Sequence, residues 1–365
     1  MARQNVYVHF PFCRSRCAYC DFYSTLLGAD VQHRYVDALC REAEARISGE
    51  VQHVYVGGGT PSLMCPDDMG RLMGVLSERG RRLQPSECTI EANPDDISAD
   101  WLRHARTAGF NRVSLGVQSF NDDVLRFVGR RHSATAARKA AALALDLVGN
   151  VSIDLIYGLP LQTVDDFRRD VETAIAMGVP HISAYALTYE EGTRLWRLRH
   201  EGSLTETSDE AEWEMYDLLM NRLADAGYEH YEISNFAKPG YVAKHNSGYW
   251  DGTFYVGLGA AAHSYDGACR RWNVADVAQY VAADGQPYFE LEMLTDQMRY
   301  EELLMTRLRT RRGLRLADVP EPFRPQLDQK KVPHLAAGNL EEADGTLRLT
   351  RKGLFRSDDV LSDLF

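Results

Sequence analysis

The sequence lacks the features that mark membrane-spanning, secreted and nucleic-acid-binding proteins. Its 365 residues contain no apolar run near the ~18 residues that cross a bilayer. The start of the chain carries neither the apolar core nor the cleavage site of a secretory signal. Basic residues number 41 against 52 acidic ones, so the net charge is −11 and a general nucleic-acid surface is disfavoured. We therefore expect a globular cytoplasmic protein that does not bind nucleic acid.

Cysteine is scarce, with seven residues in the chain, yet three of them crowd into one short segment. Cys13, Cys17 and Cys20 form a C-x3-C-x2-C pattern, which without an export signal indicates metal binding rather than disulfides. Three thiolates can hold three irons of a [4Fe–4S] cluster and leave the fourth iron open to the amino and carboxylate groups of a cofactor. The alternatives are a zinc site completed by a histidine, or three buried thiols.

Short apolar strands alternate with longer amphipathic helices in the first half of the chain. One helix is indicated by Thr163 and Asp166, which form a capping box before an apolar face, and by Gly178, which is placed to end it. Six βα units in a row predict a parallel sheet with helical crossovers, and six are too few for a closed eight-stranded barrel. We therefore expect an open, partial (β/α)6 barrel. The predicted strands are Val6–His9, Val54–Val56, Thr89–Glu91, Arg112–Gly116, Val151–Leu155 and Ile182–Ala186.

The regular alternation of strands and helices ends after about residue 190. We expect three domains, at 1–190, 191–292 and 293–365. The second is an α/β extension that begins with a charged helix over roughly Asp209–Asp225. The third reads from about Thr295 as helix, short helix and helix, followed by two alternating runs around Asp344-Gly345, a strong hairpin signal. Helices followed by a hairpin predict a small winged-helix-like module.

Polar residues recur at the carboxyl ends of the predicted strands, where parallel βα barrels gather their active sites. The cysteine loop follows the first strand, and the run GGGTPS, from Gly57 to Ser62, follows the second. Glu91, Gln118 and Asp154 end the next three. Glu91 alone could cap a turn, but a carboxylate such as Asp154 in an apolar strand is costly unless it is paired or bound to something. The shared position favours one binding site.

The segment HNSGYW, from His245 to Trp250, is a second candidate site. A histidine with Tyr249 and Trp250 four and five residues further on could present an axial ligand beside aromatic faces, as a planar macrocycle requires. The alternative is a histidine satisfied within an aromatic-rich loop.

YVHFPFCRSRCAYCDFYS and GGGTPS resemble the radical S-adenosylmethionine (SAM) superfamily. More narrowly, the chain is similar to the family of oxygen-independent coproporphyrinogen III oxidases and their heme-chaperone relatives. TIEANPD, GVQSFN, IDLIYGLP, EISNFAKPG, HNSGYW and YVGLGAAAHS stand in the expected order, so the resemblance covers nearly the whole chain. It implies that Cys13, Cys17 and Cys20 ligate the cluster and that SAM occupies the open iron. The SAM contacts that it implies are Tyr7, Tyr19, Gly58, Gly59, Thr60, Glu91, Gln118, Arg130 and Asp154.

Two features favour the heme-chaperone branch of this family over the oxidases. The oxidases carry a fourth cysteine two residues after the third, and here that position is Phe22. They also carry an extension before the cluster, whereas this chain reaches Cys13 with no room for one. The expected function is therefore heme binding and transfer to an acceptor protein, with His245, Asn246, Tyr249 and Trp250 as the heme motif. The alternative is a radical SAM oxidase that decarboxylates porphyrinogen propionates, so whether the chain is an enzyme stays open.

The resemblance also implies partners. They are heme, an acceptor protein, for which respiratory enzymes are candidates, and an electron donor for the cluster. A homodimer and a peripheral position at the membrane stay open.

Overall fold

Six parallel strands form the centre of the protein in the computed structural model, which describes residues 3–80 and 87–365. Each overlaps one of the six strands predicted from the sequence. They lie side by side in chain order, and each pairs in parallel with the next. The strands are β1 (Arg3–Phe10), β2 (Glu50–Gly58), β3 (Glu87–Ala92), β4 (Arg112–Gln118), β5 (Val151–Tyr157) and β6 (His181–Ala186).

Helices cross from each strand to the next and cover one face of the sheet. They are α1 (Ala29–Arg46), α2 (Pro66–Arg79), α3 (Ala99–Ala108), α4 (Asp122–Phe127), α5 (Ala134–Leu147) and α6 (Val164–Ala176). The predicted capping box at the start of α6 is confirmed, because Thr163 and Asp166 exchange side-chain and backbone hydrogen bonds. Gly178 follows the end of α6 with φ +72°, a left-handed conformation that favours glycine.

The alternation of side chains along each strand separates the apolar core from a polar interior. Val54 and Val56 of β2 are fully buried in the hydrophobic core, whereas Tyr55 between them lines a cavity. On β5, Ile153 belongs to the core while Asp154 lines the same cavity. Because successive side chains of a strand point to opposite faces, the sheet presents one apolar and one polar face.

The segment after β6 adds strands to both edges of this sheet. It contains α7 (Arg194–His200), α8 (Asp209–Asp225), β7 (Glu229–Glu232), β8 (Asn235–Ala237), α9 (Lys244–Asp251), β9 (Tyr255–Leu258), β10 (His263–Tyr265), β11 (Cys269–Asn273), α10 (Val277–Ala282) and β12 (Phe289–Met293). The helix predicted over Asp209–Asp225 is confirmed as α8. Strand β8 pairs antiparallel with β6, and β9 pairs in parallel with β1. The resulting sheet runs β12-β11-β10-β9-β1-β2-β3-β4-β5-β6-β8-β7, so the fold is an open partial barrel.

The last segment forms a small module with a hydrophobic core of its own. Its elements are α11 (Asp296–Leu308), β13 (Leu314–Arg315), α12 (Arg324–Ala336), β14 (Leu340–Ala343), β15 (Thr346–Leu349), α13 (Arg351–Phe355) and α14 (Ser357–Leu364). Asp344 and Gly345 both have positive φ and join β14 to β15, as the hairpin signal predicted. The two terminal helices were not predicted from the sequence. Within the described ranges, no helix combines the length and the apolar character that crossing a membrane requires.

Candidate functional site

The carboxyl ends of β1 to β6 surround a cavity of about 490 Å³. Most residues singled out from the sequence line it, although they come from five different strands and their loops and from a later helix. Those that line it are Cys13, Cys17, Tyr19, Cys20, Gly58, Gly59, Thr60, Glu91, Gln118, Arg130, Asp154 and Asn246. Tyr7, His245, Tyr249 and Trp250 do not line it.

The cysteine loop is held in place by backbone hydrogen bonds at both ends. The Cys13 N–H donates to the Thr25 carbonyl at 2.9 Å, and the Ala18 N–H donates to the Val128 carbonyl, also at 2.9 Å. None of the three thiols forms a disulfide. Burial raises the pKa of Cys13 and raises that of Cys20 to about 11, so these thiols are protonated near neutral pH until a metal displaces the protons.

Two hydrogen-bond donors point at the sulfur atoms of this loop. The Thr60 hydroxyl lies 3.4 Å from Cys13 Sγ, and the Arg130 guanidinium lies 3.4 Å from Cys17 Sγ. Donors to thiolate sulfur stabilise an iron–sulfur cluster electrostatically. Three free thiols that line one cavity, two of them with such donors, fit a cluster held by three cysteines.

The glycine run after β2 allows two strand ends to approach each other closely. Gly58 has φ +112°, and a Cβ there would lie 2.5 Å from the His9 ring. A Cβ at Gly59 would lie 2.7 Å from the Pro11 backbone. His9 in turn contacts the Tyr23 carbonyl at 2.9 Å, so the glycines let the β2 loop pack against the segment that carries the cysteines.

Two buried carboxylates face the cavity from β3 and β5. Glu91 accepts hydrogen bonds from the Tyr55 hydroxyl at 2.6 Å and from the Gly58 N–H at 3.1 Å. Burial nevertheless raises the pKa of Glu91 to about 7. The Ser114 hydroxyl lies 3.2 Å from both oxygens of Asp154, whose pKa burial also raises. Buried carboxylates with raised pKa values are typical of ligand sites.

Arg130 and Gln118 complete the cavity wall near the cysteines. Arg130 donates to Asn93 Oδ1 at 2.7 Å and to the Gly116 carbonyl, in addition to Cys17. Gln118 adopts φ +68°, a left-handed conformation that is strained for a residue with a side chain. Such strain is concentrated at binding sites. Sequence reasoning missed Asn93, although it follows Glu91 by two residues at the end of β3.

Tyr7 lies behind the cavity wall rather than in it. Its hydroxyl is 3.0 Å from His9 Nδ1, and its ring stacks on Tyr55 with centroids 6.2 Å apart. The structure therefore brings Tyr7 next to the residues that support Glu91 and Gly58, but not to the cavity surface.

The HNSGYW segment lies in α9, a short helix that reaches the cavity through Asn246. His245 is only 1% exposed, and its Nε2 lies 3.0 Å from the Tyr249 hydroxyl. Its ring lies 5.3 Å from that of Tyr55, which lines the cavity. Burial, reinforced by His53, lowers the pKa of His245 to about 3, so the imidazole is neutral. A neutral imidazole is the form that ligates metals.

The side chains of the predicted heme motif on α9 contact different parts of the protein. Asn246 lines the cavity, whereas Trp250 lies under the Arg309 guanidinium of the C-terminal module, 5.5 Å from the ring centre. Trp250 Nε1 is buried without a hydrogen-bond partner among the described residues. His245 Nδ1 makes no close hydrogen bond there, although the His53 backbone lies near enough to raise the pKa of the imidazole. Buried polar atoms of this kind are rare and indicate a ligand or a conformational change.

Comparison with known proteins agrees with this geometry. The Radical SAM superfamily matches residues 7–174, and the HemN C-terminal domain matches residues 294–356. The heme chaperone HemW of Bacillus subtilis is 34% identical over 98% of this chain and 98% of its own length. HemW of Mycobacterium tuberculosis is 37% identical over 98% of this chain and 94% of its own length.

A solved structure has the same overall fold. Coproporphyrinogen III oxidase (HemN) from Escherichia coli superimposes with a TM-score of 0.82, covering 100% of this chain and 90% of that one at 23% identity. At this identity the likeness shows a common fold and leaves the reaction open.

Proposed function

Because the chain belongs to the HemW family of the radical SAM superfamily, we propose that it is a heme chaperone that binds heme and transfers it to an acceptor protein. The observation that carries the proposal is the buried, neutral His245 imidazole on α9, whose Nδ1 makes no close hydrogen bond among the described residues and has only the His53 backbone near it. Imidazole is a common axial ligand of heme iron. Tyr249 and Trp250 supply aromatic surface on the same helix.

Radical SAM membership implies a [4Fe–4S] cluster and SAM. In our proposal Cys13, Cys17 and Cys20 hold the cluster, and Thr60 and Arg130 donate hydrogen bonds to its sulfur ligands. When bound, the cluster supplies one electron at a time to SAM. The SAM contacts that we propose are Tyr19, Gly58, Gly59, Thr60, Glu91, Gln118, Arg130 and Asp154 in the cavity, with Tyr7 supporting them from behind.

Access to His245 requires a movement of α9. The imidazole is buried against Tyr55, and the helix is held at its start by the Glu87 carboxylate, which accepts the N–H groups of Lys244 and His245 at 2.9 and 3.0 Å. Iron can reach the ring only when these contacts open. A heme chaperone must both bind heme and release it. We therefore propose that α9 moves when heme binds and again when heme leaves.

Phe22 separates this proposal from the oxidase alternative. It stands where the oxidases carry their fourth cysteine, lines the cavity beside Cys20 and is 67% exposed. A phenyl ring cannot ligate iron, so the cluster in our proposal has three protein ligands.

Two assays test this function against its alternative. The heme-loaded chain is mixed with the heme-free form of a heme enzyme, and we expect the heme absorbance to move to the acceptor. The cluster-reconstituted chain is also incubated anaerobically with coproporphyrinogen III, SAM and a reductant, and we expect no decarboxylated product. Product formation together with no transfer would overturn the proposal and favour the oxidase.

A further inference from the structure

One buried cation in the lining of this cavity, Arg112, has no role in the site as described so far. Arg112 begins β4, is 3% exposed, and lines the cavity together with Ser114 and Gly116 of the same strand. Its charge lowers the pKa values of Glu91, Asp154 and His245, so it lies near both carboxylates and near His245 of α9.

No described residue forms an ion pair or a hydrogen bond with the Arg112 side chain, and its buried Nε has no acceptor. The two carboxylates whose pKa values Arg112 lowers accept their hydrogen bonds from other groups. Glu91 accepts from Tyr55 and Gly58, and Asp154 accepts from Ser114. Burying a guanidinium without a partner costs free energy. The presence of Arg112 in the cavity lining therefore indicates an anionic ligand.

Neutral polar groups also line the cavity. His181 lies 2.7 Å from the Ser152 hydroxyl and 2.8 Å from the Tyr231 hydroxyl, and burial holds its pKa well below the ordinary value. Asn235 and Asn246 present amide groups to the same space. Arg112 therefore supplies a positive charge beside neutral hydrogen-bonding groups and beside Glu91 and Asp154, two carboxylates whose pKa values burial raises.

We propose that the cavity binds a carboxylate group at Arg112. A planar guanidinium matches a carboxylate with two parallel hydrogen bonds, and a single cation balances a single negative charge. A phosphate dianion would leave excess negative charge close to Glu91 and Asp154. The carboxylate could belong to a propionate of heme, which rests on the proposed function, or to a free small carboxylate.

Comparing the affinity for heme with that for its dimethyl ester tests whether a propionate binds at Arg112. Both are titrated into the cluster-reconstituted wild type, into Arg112→Met, which removes the charge, and into Arg112→Lys, which keeps it. We expect the wild type to bind heme roughly 10- to 100-fold more tightly than the ester. Arg112→Met should lose this preference and Arg112→Lys should keep part of it. Equal affinities in the wild type would overturn a propionate site, and so would a preference that persists in Arg112→Met.

A second arm separates this inference from heme binding itself. Sodium butyrate is added to the wild type and to Arg112→Met, and the melting temperature is followed against a sodium chloride control at equal ionic strength. Stabilisation of the wild type alone supports a carboxylate site even if heme does not bind at all. If neither heme discrimination nor butyrate stabilisation depends on Arg112, the inference fails while heme binding at His245 can still stand. If Arg112→Met does not fold, the inference is tested by the wild type alone, through its affinity for heme relative to the dimethyl ester.

Discussion

Glu91 is a residue that lowers the stability of the fold and is suited to binding a ligand. Its carboxylate has two good donors, Tyr55 and Gly58, yet burial outweighs them and raises its pKa from about 4.5 to about 7. The folded chain therefore holds a proton on Glu91 more tightly than the unfolded chain does. A buried group of this kind reduces the stability of the protein without its ligand. Its presence therefore indicates that a ligand needs it.

The ionisation of Glu91 predicts a pH-dependent effect of Glu91→Gln on the chain without cluster and SAM. Between about pH 4.5 and 7 the folded state binds more protons at this group, so its contribution lowers stability as the pH rises, and the full penalty is present above pH 7. We expect Glu91→Gln to raise the free energy of unfolding by up to about 3 kcal/mol at pH 8 and to change it little at pH 4.5. Urea unfolding at the two pH values measures the difference. An equal effect at both would show that Glu91 carries no such penalty.

At the scale of elements, α9 depends on a contact distant in sequence. Its first residue follows Ala243, which provides no side-chain cap, and Gly248 in the middle of the helix is a weak helix former. Glu87 of β3 takes the place of the cap by accepting the N–H groups of Lys244 and His245. The helix therefore forms because the barrel supplies a carboxylate at its start.

Removing this carboxylate should loosen α9. We expect Glu87→Ala to lower the free energy of unfolding by about 1–3 kcal/mol and to accelerate heme association, because α9 opens more often. The matched control is Asp170→Ala, since Asp170 is also buried and accepts hydrogen bonds from the Phe120 N–H and the Ser119 hydroxyl far from α9. Stopped-flow heme binding measures the rates. If both variants change the rate equally, α9 does not control access.

The elements that the sequence predicted well are those with local signals. The six central strands are short apolar runs between turn residues, and α6 has a capping box that forms as predicted. Helix α9 had no such signal, because its cap lies 157 residues away in Glu87. Arg112 was likewise predicted only as part of a strand, since nothing in the sequence shows that its side chain has no hydrogen-bond partner among the described residues.

At the scale of the whole molecule, one cavity connects the cysteine loop to α9. The chain after β6 first extends one edge of the sheet with β7 and β8, and then passes through α9 to the other edge, where β9 pairs with β1. Buried Glu42 of α1 fastens that second edge, because it accepts hydrogen bonds from the Gly259 N–H and the Tyr280 hydroxyl. The position of α9 is thus fixed by the connection between the two edges. This long-range arrangement could not be predicted from local sequence patterns.

Our central claim is that heme binds through His245, and an anaerobic heme titration tests it most directly. The cluster-reconstituted wild type is compared with His245→Ala and with His230→Ala, a control that removes a partly buried histidine stacked on Phe236 and outside the cavity lining. We expect about one heme per chain in the wild type and in the control, with the absorbance of a histidine-ligated iron. In His245→Ala we expect that absorbance to disappear and the affinity to fall at least about tenfold. Unchanged affinity and an unchanged spectrum in His245→Ala would contradict the claim.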